Sequence, residues 1–219
     1  IIEPSSGYLA CGDTGRGKLP EPEELLEYIL QEAACEKDLT GKKVLITAGA
    51  TQEAIDPVRY VTNHSTGKMG YALAKNAARR GAEVTLVTGP TSLEKPFFVN
   101  TIPVVTAEEM YQAVTDAFAE QDIVVMAAAV ADYRPSEVYD QKVKKSDGEM
   151  SIALERTEDI LAWVGAHKPE KLFVCGFSME TRDLIENSTA KLKKKNMDMI
   201  VANNLKIPGA GFGVDTNVV

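Results

Sequence analysis

Polar residues that can bind an anion or polarise a carbonyl group are concentrated in one loop of this 219-residue chain. They are Gly49, Thr51, Arg59, Asn63, His64, Ser65 and Thr66. An apolar segment at 44–48 predicts a strand before the loop, and the pattern at 67–80 predicts a helix after it. A strand-to-helix loop this long exceeds the usual two to six residues, and such loops are typically functional or disordered. Because a helix N-terminus favours phosphate or carboxylate groups, the loop predicts a site for a phosphorylated small molecule.

Alternating strands and helices are predicted to position this loop. Apolar segments predict further strands at 84–88, 123–129, 172–177 and 199–202, with helices at 22–34, 106–120 and 182–195. Thr106 and Glu109 have capping-box spacing, and the helix at 67–80 is expected to be capped near Ser65 or Thr66 and ended by Gly81. The alternation predicts an α/β fold: a Rossmann-like, doubly wound, mostly parallel sheet.

Residues 141–155 interrupt this rhythm, because their pattern predicts an inserted antiparallel β-hairpin with a turn at Asp147-Gly148. An isolated hairpin cannot bury its own apolar face, here Val143, Ile152 and Leu154. We therefore expect the hairpin to be a lid or, by pairing about a two-fold axis, the contact of a homodimer.

Charge and cysteine content narrow the function classes. The formal net charge is −8 and the isoelectric point about 5.0, which argues against bulk nucleic-acid binding. Two clusters of lysines suit either a small polyanion or a solvated face: Lys142, Lys144 and Lys145, and Lys191, Lys193, Lys194 and Lys195. Three cysteines without a CxxC spacing predict a reduced, cytoplasmic protein. The longest apolar run, 123–131, is too short to predict a membrane span.

Two nucleotide-binding alternatives fit the loop poorly. A dinucleotide-dependent oxidoreductase would have a GxGxxG after the first strand and an acidic residue after the second, and neither is present. Tyr71 and Lys75 have the Tyr-x-x-x-Lys spacing of reductases, but they lie on the helix predicted at 67–80, too early in the chain for a catalytic pair. Two residues one helical turn apart with no joint role is the better interpretation. A P-loop NTPase would need a glycine that is not found at the required distance before Gly67-Lys68.

Three motifs carry a specific resemblance. They are ITAGATQEAIDPVRYVTNHSTGKMG at 46–70, AAAVADYRP at 127–135 and KVKK at 142–145. In this order they resemble the phosphopantothenate–cysteine ligase domain of bacterial bifunctional coenzyme A biosynthesis proteins. The segment SGYLACGDTGRGKLPEPEEL at 6–25 is similar to the end of the flavin-dependent decarboxylase domain that precedes the ligase in that family. The resemblance implies a decarboxylase fragment with a linker helix at 1–40 and a ligase domain at 41–219 that continues further.

The resemblance also implies the reaction and its partners. The family joins 4′-phosphopantothenate to L-cysteine using CTP, through an acyl-cytidylate, and releases CMP and pyrophosphate. It implies Mg²⁺ with the nucleotide, FMN only in the decarboxylase domain, a homodimer through 141–155 and a larger oligomer of the full-length protein. An NADP-dependent reductase and a nucleotide-binding module without activity remain the alternatives.

Residue roles follow from matching motif positions. The resemblance implies Asn63 and Lys142 as catalytic residues, Asn63 as the donor to the acyl carbonyl and Lys142 on the nucleotide phosphates. A loop made of Gly49, Ser65, Gly67, Ala128 and Ala129 would receive the phosphorylated substrate. The other implied nucleotide contacts are Asp132, Glu158, Asp159, Ile160, Leu161, Phe177, Lys191 and Lys195. Plain turn closure by Asn63 and core packing of Phe177 remain alternatives. Cys11 matches the decarboxylase's acid cysteine and is expected to be idle here.

Overall fold

The fold is an α/β sandwich around one parallel sheet. The computed structural model describes residues 1–144, 150–180, 183–204 and 216–219. In chain order the strands are β1 (Ser5–Tyr8), β2 (Thr14–Lys18), β3 (Lys43–Ala48), β4 (Gln52–Ala54), β5 (Tyr60–Thr62), β6 (Glu83–Thr88), β7 (Val99–Pro103), β8 (Ile123–Met126), β9 (Tyr133–Pro135), β10 (Leu154–Arg156), β11 (Phe173–Glu180) and β12 (Met199–Asn204). The helices are α1 (Pro22–Ala33), α2 (Lys68–Arg79), α3 (Ala107–Ala117), α4 (Ile160–His167) and α5 (Leu184–Lys194).

The central sheet has six strands in the order β12-β11-β8-β3-β6-β7, and every neighbouring pair is parallel. From β3 the chain builds outward through β6 to β7, then returns to the other side of β3 with β8. This reversal creates a crevice at the carboxyl ends of β3 and β8, where ligands bind in doubly wound folds. The predicted Rossmann-like architecture is therefore confirmed.

Apolar side chains on the two faces of the sheet form two cores. One face packs against α3 and α4 through Leu45, Met110 and Val164. The opposite face packs against α2 through Ile46, Ala74 and neighbouring residues. Gly70 brings α2 close to the sheet, because a Cβ there would lie 2.5 Å from the Cβ of Ala48.

The apolar periodicity of the sequence predicted most of the central strands and long helices, but it predicted their ends less accurately. The capping box of Thr106 and Glu109 is present at the start of α3, and Gly81, with φ of 92°, follows α2 as predicted. The cap of α2 was wrong, because Gly67 occupies that position and no side chain caps the helix. The strand predicted at 123–129 ends at Met126, since the Ala128 N–H donates to the Thr47 hydroxyl (3.1 Å). Helix α4 and the strands β1, β2, β4, β5, β7 and β9 were not predicted.

The hairpin predicted at 141–155 was wrong in its pairing. Strand β10 pairs antiparallel with β9, so its partner is 133–135 rather than 141–145. Residues 141–144 belong to no strand, because the backbone of Val143 is bound by the side chains of Asp56 and Arg59. The turn predicted at Asp147-Gly148 lies outside the described residues.

The first forty residues form a small hairpin and a docked helix. Strands β1 and β2 pair with each other. Helix α1 attaches to α2 through Glu27, which accepts from Lys75 (2.7 Å) and Arg79 (3.1 Å). Among the described residues, no helix is long and apolar enough to cross a membrane.

Candidate functional site

A cavity of about 540 Å³ opens at the carboxyl ends of the central strands, beside α2. Its lining comes from six segments of the chain, several of them distant in sequence. The lining residues are Asn63, Ser65–Met69, Ala72, Leu93, Ala127–Ala129, Phe177–Met179, Asn203, Thr216 and Asn217. This volume lies within the range that small-molecule sites occupy, at the place where a doubly wound sheet binds ligands. The structure thus gathers seven predicted residues: Asn63, Ser65, Thr66, Gly67, Ala128, Ala129 and Phe177.

The floor of the cavity depends on two glycines in close contact. Gly67 has a φ of 83°, which L residues adopt at a cost, and it is the N-cap of α2. A Cβ at Gly67 would lie 3.0 Å from the backbone nitrogen of Gly49, so a side chain there would force the Gly49 backbone to shift. No side chain caps the first turn of α2, which leaves its N–H groups and helix dipole directed at the cavity edge. Gly49 is therefore under the site rather than in its lining.

Asn63 follows β5 and lines the cavity. Its side-chain oxygen accepts from the Ser65 N–H (3.1 Å), which closes a local turn. That bond orients the amide and leaves its NH₂ group as the donor for a ligand. The two interpretations of Asn63, turn closure and donation into a site, are therefore compatible.

The loop after β8 is held by two threonines that are completely buried. The Oγ1 atom of Thr47 accepts from the Ala128 N–H, and that of Thr51 accepts from the Ala131 N–H (3.0 Å). The Ala129 N–H also donates to the Gly49 carbonyl (2.9 Å). Thr51 was expected to face an anion, but its hydroxyl is instead used to hold this loop. The role of Thr47 was not predicted, because a threonine within an apolar strand looks like any other strand residue in the sequence. Its role depends on the Ala128 N–H, which only the fold brings next to it.

Strands β11 and β12 form the opposite wall. Phe177 is partly exposed to the cavity, so it is not simply a core residue. Asn203, also in this wall, was not predicted. Its position at the carboxyl end of a parallel strand was the available signal, since ligand-binding residues collect there.

A second group of predicted residues lies at the start of α4 and the end of α5, outside the cavity lining. Asp159 is the N-cap of α4 and accepts from the Ala162 N–H (3.0 Å) and from Lys195 Nζ (2.7 Å). Partial burial works to raise the pKa of Asp159, but the bond from Lys195, the Ala162 N–H and the nearby charge of Lys191 lower the pKa below its usual range. Lys191 and Lys195 are therefore close together, although Lys195 is already paired.

The other predicted contacts vary in exposure. Ile160 and Leu161 bury their side chains in the core, so only their backbone can meet a ligand. Asp132 and Glu158 are exposed, and the Asp132 carbonyl accepts from the Thr157 N–H (3.1 Å). Cys11 is exposed in the turn between β1 and β2.

Lys142 lies outside the cavity lining, next to the bend between β4 and β5. Its ammonium group makes no hydrogen bond or ion pair with the part of the chain that the structure describes. Arg59 was expected to be available to an anion, yet it is paired with the buried carboxylate of Asp56. Within the described ranges, no group of three or more His, Cys, Asp or Glu is arranged to hold a metal ion.

The Tyr71 and Lys75 side chains serve separate partners. The Thr88 hydroxyl lies 3.3 Å from the Tyr71 hydroxyl, whereas Lys75 binds Glu27. The geometry therefore gives no support to a reductase pair.

This chain is similar to one protein family and to several known proteins. Residues 39–219 match the family described as the DNA/pantothenate metabolism flavoprotein C-terminal domain. The chain is 52% identical over 222 residues to the coenzyme A biosynthesis bifunctional protein CoaBC of Bacillus subtilis, covering 100% of this chain and 54% of that protein. It is 50% identical over 222 residues to a cysteine/cysteine sulfinic acid decarboxylase from an unknown prokaryotic organism, covering 99% of this chain and 62% of that protein.

A solved structure resembles the fold directly. The crystal structure of the C-terminal domain of a coenzyme A biosynthesis bifunctional protein CoaBC is 49% identical, with a TM-score of 0.68 over 76% of this chain and 79% of that one. The chain spans about half the length of the Bacillus relative. With its parallel sheet, its crevice and its matched residues taken together, the chain belongs to the DNA/pantothenate metabolism flavoprotein C-terminal domain family.

Proposed function

We propose that this chain acts in coenzyme A biosynthesis by joining 4′-phosphopantothenate to L-cysteine at the expense of CTP. The observation that carries the proposal is the cavity, in which the Asn63 amide, the uncapped N-terminus of α2 and the Ala127–Ala129 loop meet. The family and its CoaBC relatives supply the pathway. Phosphopantothenate, cysteine, CTP and the ligase reaction itself are part of the proposal.

The chemistry has two steps. The carboxylate of phosphopantothenate attacks the α-phosphorus of CTP, forming a P–O bond as pyrophosphate leaves. The cysteine amine then attacks the acyl carbonyl, the amide bond forms, and CMP leaves with the electron pair of the broken C–O bond. In the second step the carbonyl oxygen becomes negative, and a fixed donor at that atom lowers the barrier. The Asn63 NH₂ group is suited to this role because its side-chain oxygen is already engaged by Ser65.

The triphosphate and the phosphate of the substrate bring concentrated negative charge, which the protein must offset. We assign Lys142, Lys191 and Lys195 to this task, with Asp132, Glu158 and Asp159 at the nucleotide and the backbone of Ile160 and Leu161 beside them. Mg²⁺ would be held mainly by the nucleotide phosphates, as is common for this ion.

A homodimer remains part of the proposal, with a changed contact surface. The exposed apolar residues include Val58, Tyr60, Tyr133 and Leu154. They lie on or next to the β4–β5 and β9–β10 ribbons, so a second copy is expected to cover them. In such a dimer Lys142 can serve a nucleotide held mainly by the partner subunit.

Assembly can be tested with complementary variants. Mixing Asn63→Asp with Lys142→Gln and allowing subunit exchange should restore activity to about a quarter of normal by random pairing, if each site uses both subunits. No recovery with exchange confirmed would place both residues in one protomer's site. A monomer by light scattering would rule out the shared site.

The ligase assignment can be tested by its half-reactions. The chain with CTP and phosphopantothenate should release one equivalent of pyrophosphate without cysteine. Asn63→Asp should keep that burst and slow ligation by about 10²- to 10³-fold, the cost of losing one oxyanion donor. Loss of the burst as well would move Asn63 to the first step or to folding.

Thermal stability separates the competing nucleotides. CTP at a hundred times its dissociation constant should add about 2.7 kcal/mol of stability. Stabilisation by NADPH and none by CTP would favour the reductase instead, and stabilisation by CTP without turnover would indicate a binding module.

A further inference from the structure

Asp56 is a charged group that the fold buries almost completely, in the bend between β4 and β5. The residue is 3% exposed and its side chain 0%. A buried carboxylate must be compensated by donors, and Asp56 has them from two regions. Oδ1 accepts from the Val58 and Arg59 N–H groups (both 2.9 Å), and Oδ2 accepts from Arg59 Nε (3.0 Å) and Nη2.

The same pair binds a segment more than eighty residues later. Oδ2 of Asp56 also accepts from the Val143 N–H (3.2 Å), and Arg59 Nη2 donates to the Val143 carbonyl (3.2 Å). Both backbone polar groups of Val143 are thus engaged, in a segment that belongs to no strand. The bond from Arg59 is the largest influence that lowers the pKa of Asp56 below its usual range; burial opposes it, and the Val58, Val143 and Arg59 N–H groups add to it.

The location connects this arrangement to the site. Lys142 and Lys144 flank Val143, so fixing Val143 fixes the starting point of both lysine side chains. Arg59 immediately precedes β5, and Asn63 immediately follows that three-residue strand. The lysine segment is therefore attached to the strand that presents Asn63 to the cavity.

We propose that Asp56 and Arg59 form a clamp that holds the Lys142–Lys144 segment in place for an anionic ligand, with Asp56 as a positioning residue. This inference rests on the proposed function only for the identity of the anion, a nucleoside triphosphate. The clamp itself is a property of the fold.

Asp56→Asn is the informative variant. With its NH₂ group at Oδ2 the amide loses the Val143 N–H and both Arg59 side-chain bonds. With its NH₂ group at Oδ1 it loses the Val58 and Arg59 N–H bonds that shape the bend, so the clamp is weakened in either orientation. We expect trypsin to cut after Lys144 about tenfold faster in folded protein, the change that follows loss of one hydrogen bond to a charged group. The KM for CTP should rise by a similar factor with kcat little changed, because loosening Lys142 weakens ground state and transition state equally.

Asp38→Asn is the matched control. Asp38 also accepts two bonds from an arginine, Arg80 (2.8 and 2.6 Å), but on the exposed side of the N-terminal region. It should change neither the cleavage rate nor the KM. Equal acceleration in both variants would overturn the clamp, because general loosening would then explain it.

Val143→Pro provides a second route if Asp56→Asn folds poorly. It removes the N–H that donates to Asp56 and also restricts the backbone at 142–143, on a segment outside the core. It should also accelerate cleavage after Lys144, and combining it with Asp56→Asn should add little, since both changes break the same contact. Full additivity, or no acceleration in either variant, would overturn the clamp.

Activity distinguishes the clamp from the proposed function. Faster cleavage with an unchanged KM for CTP would overturn the positioning role of Asp56. Absence of CTP turnover in the unaltered chain would overturn the proposed function instead. The cleavage rates would still show whether Asp56 and Arg59 hold the Lys142–Lys144 segment.

Discussion

The floor of the cavity and its charged surroundings are held in place by different forces. The floor is neutral: Gly49 and Gly67 are in backbone contact, and the buried hydroxyls of Thr47 and Thr51 accept from the loop after β8. The surroundings are held by ion pairs, Asp56 with Arg59 and Asp159 with Lys195. The floor should therefore respond to volume and lost hydrogen bonds, and the surroundings to charge, salt and pH.

Gly67→Ala should lower stability more than any other variant considered, because it destabilises the cavity floor in two ways. The positive φ of an L residue costs about 1–2 kcal/mol, and the new methyl group contacts Gly49, with overpacking adding about 1–3 kcal/mol. Urea unfolding should show both losses, and ligand affinity should fall as α2 shifts.

Gly41→Ala separates these two costs. Gly41 has a similar φ of 77°, with nothing within 4 Å of a Cβ. The unfolding free energy of this variant should fall only by the cost of the positive φ. Equal losses at Gly41 and Gly67 would mean that the close contact with Gly49 does not matter.

Lys142→Gln tests the charged surroundings at a side chain that does not help to hold the described part of the fold together. We expect CTP affinity to fall by about 1.5–3 kcal/mol, the range for hydrogen bonds to charged groups, with the unfolding free energy unchanged. Calorimetric titration measures the affinity. A loss that persists undiminished in high salt would contradict an electrostatic role.

Thr47→Val tests the floor with little change of volume. It leaves the Ala128 N–H without an acceptor, and an unsatisfied buried group costs about 1–3 kcal/mol. We expect lower stability and weaker substrate binding with little dependence on salt. Thr115→Val, in which the hydroxyl is exposed on α3, should be near neutral.

Lys195→Gln should lower stability only slightly, by less than about 1 kcal/mol, because its partner Asp159 is half exposed and solvent screens the pair. The lowered pKa of Asp159 fixes the sign. The pair stabilises the fold above the unfolded value of about 3.9, and this contribution is lost as the pH falls through the folded value. Denaturation of both proteins should therefore differ at pH 7 and converge in acid.

Lys193→Gln and Lys191→Gln complete this series. Lys193 is exposed on α5 and should be neutral in CTP binding, whereas Lys191, next to Asp159, should weaken it. Equal effects at Lys193 and Lys195 would indicate a diffuse field of charge instead of a defined contact.

The sequence by itself determined the regular framework of this protein. Apolar runs such as 44–48 and the Thr106–Glu109 box are local signals, because strand burial and helix capping depend on neighbours a few residues away. The long polar loop predicted part of the candidate site for the same reason, since a gap in the apolar periodicity is visible in the sequence without knowledge of the partner residues.

Only the tertiary structure decided which polar groups remain available. Thr51 and Arg59 were predicted to be ligand-binding groups. In the structure the Thr51 hydroxyl accepts from the Ala131 N–H, and the Arg59 guanidinium is paired with Asp56. Strand β10 pairs with β9, and Val143, which was expected to lie in the opposite strand of a hairpin, is bound to Asp56 and Arg59 instead. Each outcome depends on a hydrogen-bond partner roughly twenty to ninety residues away or hidden in a tight bend, and a buried polar group binds whichever partner the fold brings to it.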